Sequence, residues 1–521
     1  MSGVRKQEEI GRVVDKLKRV HRQGRTKTAK WREAQLRGLK QLLLDHSADI
    51  RNALHSDLRW AGAKTQGVEI DTAVAEIEHA IRHFREWMKP ESVPTPLLHQ
   101  PASSQIVSEP LGVVLIISPW NAPLHLVTNP LVAAISAGNC AMVKPSELAP
   151  AVSAFFAAHL LSYLDRDCFA VVEGGVEETT MILKERFDCI LYTGSTKVGK
   201  VVMAAAARHL TPVLLELGGQ CPCIVDETAD LDVTAKRIVM GKWLNCGQMC
   251  TSVNTLICHE KVRDRLLEKM VKTIEEFFTS TPKSSPDYSR IVNASHVERI
   301  KRIMPGMGED GGRTRGEKVY YGGEVDEADN YIAPTIYVDV PDDSKLLKEE
   351  IFGPILPVRT FRSFDQALSM AQPEEKPLAA YLFTSSSSRA KAFRDEMRCG
   401  GICINDIHFH TIQPFLPFGG VGNSGIGAYH GKHGFDALSH RKAFLHRSTK
   451  LDAAVRYPPY TEKKTRIANF LRKSTSALSL SPTVVVGLGA IGLGVVYHYL
   501  RVNGYLEGMQ EYCTAALQPP H

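Results

Sequence analysis

At 521 residues the chain is long enough for two or more domains with sizeable cores, and 44% hydrophobic with 23% charged residues is the composition of an ordinary globular enzyme. A net charge of +6 over this length, with acids interleaved among the bases, excludes the basic stripe of a nucleic-acid binder. Eleven cysteines in no regular framework point to a reducing compartment. The spacings Cys221-x-Cys223, Cys246-x3-Cys250 and Cys399-x3-Cys403 lack the pattern of a structural zinc site, so no metal is expected.

The first residues carry Arg5, Lys6, Glu8, Glu9 and Asp15 with no apolar run, which argues against a signal or transit peptide. Ser2 stands where N-myristoylation needs glycine. Residues 5–56 are rich in charge, Ala and Leu, and predict amphipathic helices. Val68, Ile70, Ala73, Ile77, Ile81 and Phe84 continue that periodicity until Pro90, and Pro94-Thr-Pro96 marks a loop. From residue 106 the pattern changes. Residues 113–118, 140–143, 169–172 and 189–192 are short apolar runs separated by helical stretches, as expected of strands buried on both faces of a parallel α/β sheet. A second alternating region, about 220–425, predicts a separate catalytic domain.

Three segments carry chemistry. Asn245-Cys-Gly-Gln-Met-Cys250 offers a thiol, Leu215-Glu-Leu-Gly-Gly219 a carboxylate at Glu216, and Pro119-Trp-Asn-Ala-Pro123 a side-chain amide at Asn121. Taken alone, Cys250 is a small core hydrophobe and Asn121 a turn residue. Together they are what oxidation of an aldehyde through a thioester requires: a nucleophile, an oxyanion donor and a base for the hydrolytic water. Cys246, one helical turn before Cys250 if the stretch is helical, reads as packing.

Three glycine-rich segments compete for a dinucleotide. Gly487-Leu-Gly-Ala-Ile-Gly492 fits G-x-G-x-x-G, but too little chain follows it for a nucleotide domain. Gly420-Val-Gly-Asn-Ser-Gly425 lacks a following helix. Gly194-Ser-Thr-Lys-Val-Gly199 lies between a strand and the helix beginning near Lys200, where free N–H groups and the helix dipole suit a pyrophosphate, although Ser and Thr are also ordinary caps.

These segments, in this order and spacing, resemble the aldehyde dehydrogenase superfamily from about residue 10 to 457. Pro417-Phe-Gly-Gly-Val-Gly-Asn-Ser-Gly-Ile-Gly427, Tyr429-His-Gly-Lys-His-Gly-Phe435 and Arg456-Tyr-Pro-Pro459 point to its class 3 branch, and there to membrane-bound fatty aldehyde dehydrogenases. The resemblance implies a Rossmann-like cofactor domain, an α/β catalytic domain and a small oligomerisation element. It places the helices and cofactor domain at 1–216, the catalytic domain at 217–425 and the oligomerisation segment at 426–457, followed by a basic linker at 458–476. Cys250, Glu216 and Asn121 are then catalytic. Gly194, Ser195, Thr196 and Gly199 become the phosphate loop, Lys144 and Glu147 the adenosine ribose clamp, Glu350 the contact to the nicotinamide ribose, and Trp120 and Phe352 its neighbours. Glu147 would repel a 2′-phosphate, so NAD is preferred, with NADP also accepted by class 3 members. Gln220, Met249 and Ala122 depart from the usual pattern without removing a reactive group.

The tail has no formally charged residue between Lys473 and Arg501. Residues 477–500, at roughly 1.5 Å per residue, are long enough to cross about 30 Å of hydrocarbon as a transmembrane helix, leaving 501–521 as a tail. Lys463, Lys464, Arg466, Arg472 and Lys473 place the enzyme on the cytosolic side. The whole implies a membrane-anchored homodimer acting on medium- and long-chain fatty aldehydes. The endoplasmic reticulum is the first candidate membrane, with the mitochondrial outer membrane and peroxisome as the others. Small or aromatic aldehydes are the closest rival substrates, and a catalytically silent membrane scaffold is the reading from another class.

Overall fold

The computed structural model describes residues 3–96, 99, 101–305, 307, 316–372, 374–450, 452 and 454–477. The first compact unit, Met1–Met88 with Glu109–His440, holds two large sheets. In one, Val213–Glu216, Cys189–Thr193, Val113–Ile117, Cys140–Lys144 and Phe169–Val171 are parallel neighbours in that order, and Gly425–Ile426 pairs antiparallel with Val213–Glu216. The strands expected near 113, 140, 169 and 189 are therefore present. Those at 113, 140 and 189 are buried along their whole length, because helices cover both faces of the sheet. The strand order reverses around Val113–Ile117, and at such a switch point ligands bind beyond the carboxyl ends of the strands.

The second sheet runs Lys318–Tyr321, Thr335–Val338, Ile355–Phe361, Thr255–His259, Pro222–Val225, Ala379–Phe383, Gly401–Ile404, parallel except for its first strand. The helices expected at the start are Gly3–Arg22, Ala29–Asp45 and Ser47–Leu58, and Thr72–Trp87 follows a π-helical turn over Thr65–Asp71. Ala29–Asp45, Ser47–Leu58 and Thr72–Trp87 pack against the crossover helices His125–Ala137 and Pro150–Tyr163 of the first sheet, and Gly3–Arg22 packs against helix Val176–Ile182 and strands Val113–Ile117 and Cys140–Lys144.

Helix His125–Ala137 fixes the segment just before it, which contains Trp120 and Asn121. Its N-terminal half departs from simple helical bonding. Pro130 lies inside it and cannot donate to the carbonyl of Leu126; the Ser118 hydroxyl donates to that carbonyl instead, at 2.8 Å. No side chain of its own caps its start; the buried carboxylate of Glu69, in the π-helical turn, accepts from the N–H groups of Leu124 (3.0 Å) and His125 (2.8 Å).

The second compact unit comprises the described residues of 89–108 and those from Arg441 onward. Its sheet orders Glu91–Val93, Ala102–Pro110 and Ser439–Arg447, so the last is an edge strand, and most of it is exposed. The basic linker contains the helix Glu462–Ala477. From residue 478 the expected transmembrane helix, and with it Gly487–Gly492, lies outside the described residues. Among the described residues no helix is long and apolar enough to cross a membrane.

Replacing Ser118 with Ala leaves the Leu126 carbonyl buried and unpaired, at a cost of about 1–3 kcal/mol. In a Pro130→Ala background, where residue 130 regains its N–H, the same change costs less. Urea unfolding of the two single variants and the double variant measures this difference; equal costs in both backgrounds would dismiss the compensation.

Candidate active site

The site residues of the first sheet stand at or just beyond the carboxyl ends of their strands. Trp120 and Asn121 follow Val113–Ile117, Lys144 ends its strand and Glu147 comes three residues later, Gly194 and Ser195 follow Cys189–Thr193, and Glu216 ends Val213–Glu216. Cys250 comes from the other sheet, on a turn between helix Leu231–Trp243 and strand Thr255–His259. The stretch holding Cys246 is therefore a turn. Gly247 adopts φ 72° there, and a Cβ at that position would lie 2.1 Å from the Gly353 carbonyl oxygen, so the turn requires glycine. Cys246 is buried and donates to the Ser289 carbonyl at 2.9 Å, which is a packing role.

Buried amides join this turn to the other sheet. Asn121 Nδ2 donates to the Gln248 carbonyl (3.1 Å), and Asn245 Nδ2 donates to the Asn121 carbonyl (2.9 Å). Asn245 Oδ1 accepts from the Trp60 indole at 2.8 Å, and the Gln248 side chain bonds the backbone of Arg290 and Val292. One hydrogen of the Asn121 amide is thus committed to holding the turn. Cys250 is half-buried, and its carbonyl accepts from the Cys221 thiol at 3.4 Å.

Glu216 is 1% exposed, and neither carboxylate oxygen has a hydrogen-bond partner. Burial drives its pKa well above the usual carboxylate range, opposed only by the backbone of Gly420. Leu217 N–H donates to the Ser424 carbonyl at 3.0 Å, so the Gly420–Gly425 segment is bound directly to the end of this strand. Burial first, and then the nearby Glu216, Glu350 and Cys221, push the Cys250 thiol well up.

Three groups that the sequence reading did not assign belong to this neighbourhood. Tyr429 is fully buried with an unpartnered hydroxyl in electrostatic reach of Glu216, Cys250 and Glu76. Lys242 is buried with its ammonium on the Val253 carbonyl at 2.8 Å; burial lowers its pKa to about 7, against the pull of Cys221 and Glu350. Glu69 orients the helix after Asn121. A lone lysine inside the apolar run Ile238-Val-Met-Gly-Lys-Trp243 is the one trace of Lys242 in the sequence.

On the cofactor side, Lys144 is buried and its ammonium meets Glu147 at 2.5 Å. Ser195 caps helix Thr196–Ala207 by accepting from Val198 N–H (3.4 Å), and the Thr196 hydroxyl donates to the Asn423 carbonyl at 3.0 Å. Gly194 and Gly199 serve close packing: a Cβ would lie 2.3 Å from the Tyr192 hydroxyl at the first and 2.8 Å from Leu217 at the second. Glu350 lies against Gly218, has one oxygen without a partner, and burial raises its pKa to about 7. Trp120 meets Phe352 edge-on at 5.5 Å and His296 at 5.1 Å. A capped helix start, a Lys–Glu pair at a strand end and an orphaned carboxylate oxygen are groups that fit a dinucleotide. Among the described residues no group of His, Cys, Asp or Glu is arranged to hold a metal ion.

The profile of the Aldehyde dehydrogenase family matches residues 4–444. The chain belongs to this family, and it is an NAD(P)-dependent aldehyde dehydrogenase with class 3 relatives. Aldehyde dehydrogenase family 3 member H1 of Arabidopsis thaliana is 45% identical over 89% of this chain and 95% of its own length. Family 3 member A2 of Rattus norvegicus is 42% identical over 93% of this chain and 99% of its own. A solved structure of Staphylococcus aureus AldH in a substrate-bound state superposes with a TM-score of 0.84 at 39% identity, covering 88% of this chain and 98% of that one.

Asn245→Ala removes the acceptor of the Trp60 indole and the donor to Asn121 at once. A loss of about 1.4 kcal/mol in positioning corresponds to a tenfold fall in rate, so kcat should drop on the order of tenfold, with cofactor affinity, read by fluorescence titration, changing much less. Unaltered kcat would show that the turn keeps its geometry without this link.

Proposed function

We propose that this chain oxidises medium- and long-chain fatty aldehydes to carboxylic acids, preferring NAD, while anchored to a membrane by residues 477–500. The observation that carries the chemistry is the buried Glu216 carboxylate, both oxygens unpartnered, within electrostatic reach of the Cys250 thiol. Cys250 attacks the aldehyde carbon as its thiolate, the thiol proton leaving to solvent. The developing oxyanion is met by the backbone N–H of Cys250 and the free hydrogen of the Asn121 amide, which Gln248 and Asn245 hold in place. The bound nicotinamide supplies the hydride acceptor that turns the hemithioacetal into a thioester. Glu216 then takes a proton from water, the hydroxyl adds to the acyl carbon, the C–S bond breaks, and the acid leaves with Cys250 restored.

Glu350, Trp120 and Phe352 are assigned to the nicotinamide side, Lys144 and Glu147 to the adenosine ribose, and Gly194, Ser195, Thr196 and Gly199 to the pyrophosphate. The Glu147 carboxylate disfavours a 2′-phosphate, which supports NAD over NADP. The charge-free run after Lys473 with its basic N-terminal flank supports a membrane span facing the cytosol, the endoplasmic reticulum being the first candidate. An enzyme held at the bilayer draws apolar aldehydes from it. A homodimer is supported by the edge strand Ser439–Arg447, where Phe444 and Leu445 are exposed. Oxidation rates over an aldehyde series from short to long chains test the substrate class; a preference for small or aromatic members would favour the rival.

Cys250→Ala should abolish NADH formation and leave cofactor binding. Glu216→Gln should give one burst of NADH followed by slow deacylation. Because Glu216 works only when deprotonated and its pKa is raised, deacylation should slow as pH falls and quicken into the alkaline range. That limb should flatten in Glu216→Gln. Stopped-flow traces across pH measure both, and an unchanged steady state in the variant would remove Glu216 from the mechanism.

Truncation after Arg472 should release the protein from carbonate-washed membranes, since a basic flank alone holds about 1 kcal/mol per charge. Short aldehydes should be oxidised as before, and long ones presented in bilayers less efficiently. Retention of the truncated protein on the membrane would place the anchor elsewhere.

A further inference from the structure

Cys250 sits on a loop whose two ends lie side by side. The chain enters it from the end of helix Leu231–Trp243 and leaves it over residues 251–253, towards strand Thr255–His259. Two ties close this neck from within: the Lys242 ammonium donates to the Val253 carbonyl at 2.8 Å, and the Ser252 hydroxyl donates to the Lys242 carbonyl at 3.4 Å. A third tie comes from outside. His408 Nε2 lies 2.8 Å from the Gly241 carbonyl oxygen, and His408 Nδ1 lies 2.8 Å from the Thr251 hydroxyl. One imidazole thus spans the neck, from Gly241 to the residue after Cys250.

The chemistry of the partners fixes the ring. A carbonyl only accepts, so Nε2 carries the proton. Burial is the largest influence on His408 and holds its pKa below the ordinary histidine value, so the ring is neutral at working pH and Nδ1 keeps its lone pair. The Thr251 hydroxyl therefore donates to it. The Gly241 carbonyl stands near the C-terminal end of its helix, where carbonyls lose intrahelical partners, and the imidazole N–H supplies one. The backbone is committed to the same contact: His408 adopts φ 67°, a left-handed conformation that few residues with a Cβ enter. Such strain persists where surrounding contacts hold it. Beside it, Ile407 packs so closely on Gly241 that no Cβ fits there. Tyr381 completes the hold on Thr251, its hydroxyl donating to the Thr251 carbonyl at 2.6 Å.

The nucleophile is therefore fixed on both sides. Asn121 holds the turn ahead of it at the Gln248 carbonyl, and His408 with Tyr381 holds the residue behind it. We infer that His408 is a positioning residue for Cys250, acting through the Thr251 hydroxyl to set where the thiol and the Cys250 N–H stand against the aldehyde. This rests on the proposed role of Cys250, where a displacement of about 1 Å costs on the order of a hundredfold in rate.

Thr251→Val keeps the shape of the side chain and removes the donated hydrogen. On the full-length enzyme it should lower kcat for propanal about tenfold, with the KM for NAD little changed. Thr251→Ser should recover most of that loss. At position 408 two amides separate the two bonds of the ring. Asn sets its polar atoms near the place of Nδ1 and tolerates a positive φ, so His408→Asn should keep most of kcat. Gln reaches towards the place of Nε2 and offers Gly241 a donor, but leaves the Thr251 hydroxyl without its acceptor. His408→Gln should then fall as far as Thr251→Val, and the two together should cost no more than either alone. Thermal unfolding midpoints of every variant separate positioning from stability. Equal losses in His408→Asn and His408→Gln, or losses of kcat that track the midpoint, would mark His408 as a cap of the helix alone and overturn the inference. A Cys250→Ala enzyme that still oxidises propanal would overturn the role of Cys250, a result read independently of the variants at 251 and 408.

Discussion

Reciprocal hydrogen bonds between Asn121 and the turn at 245–248 join one sheet to the other at the point where chemistry is placed. Asn121 donates its side-chain amide to Gln248 and accepts Asn245 on its own carbonyl, so the oxyanion donor and the nucleophile's turn position each other. Both bonds are buried, where an unmade partner costs about 1–3 kcal/mol. The surrounding structure serves this junction. Glu69 and Ser118 satisfy two backbone irregularities in the first turn of helix His125–Ala137, and Trp60 anchors Asn245 from the N-terminal helical region. Changes far from Cys250 in sequence, at Trp60 or Ser118, therefore act on its geometry.

The electrostatics follow from the same burial. Glu216, Glu350 and Cys250 are acidic groups in a region that is largely shut from water; burial raises all three, and the two carboxylates further raise the cost of ionising Cys250. Lys242 is close enough to feel Glu350, yet burial lowers its own pKa to about 7, so it is a weak counter-charge near neutrality. A carboxylate whose ionisation is opposed by burial and whose oxygens have no hydrogen-bond partner is open to a water molecule, and Glu216 is such a group.

Much of the architecture was legible in sequence because its signals are local. Short apolar runs at 113, 140 and 189 read as strands covered on both faces, and helical punctuation between them implied parallel connections. Cys250, Glu216 and Asn121 were legible as a chemical set, since a thiol, a carboxylate and an amide in recurring motifs have a shared use. Tyr429 stood inside a quoted motif but had no role there: a buried phenol reads as core until its hydroxyl is found unpartnered beside Glu216. Glu69 lies in a π-helical turn where the sequence continues an amphipathic helix, and nothing local says that its carboxylate turns inward to cap another helix.

The sequence by itself determined the parallel α/β class and the reactive groups, because backbone preference and side-chain chemistry depend on neighbours along the chain; the helix expected from about Lys200 in fact starts at Thr196, with Ser195 as its cap. Only the tertiary structure decided which hydrogen bonds those groups make and which they lack. The partner of Asn121 is 127 residues away, that of the Thr251 hydroxyl is 157 residues away, and Glu216 is left with none. Whether a polar group is satisfied or orphaned depends on what the fold brings against it, and that is set by contacts no local pattern encodes.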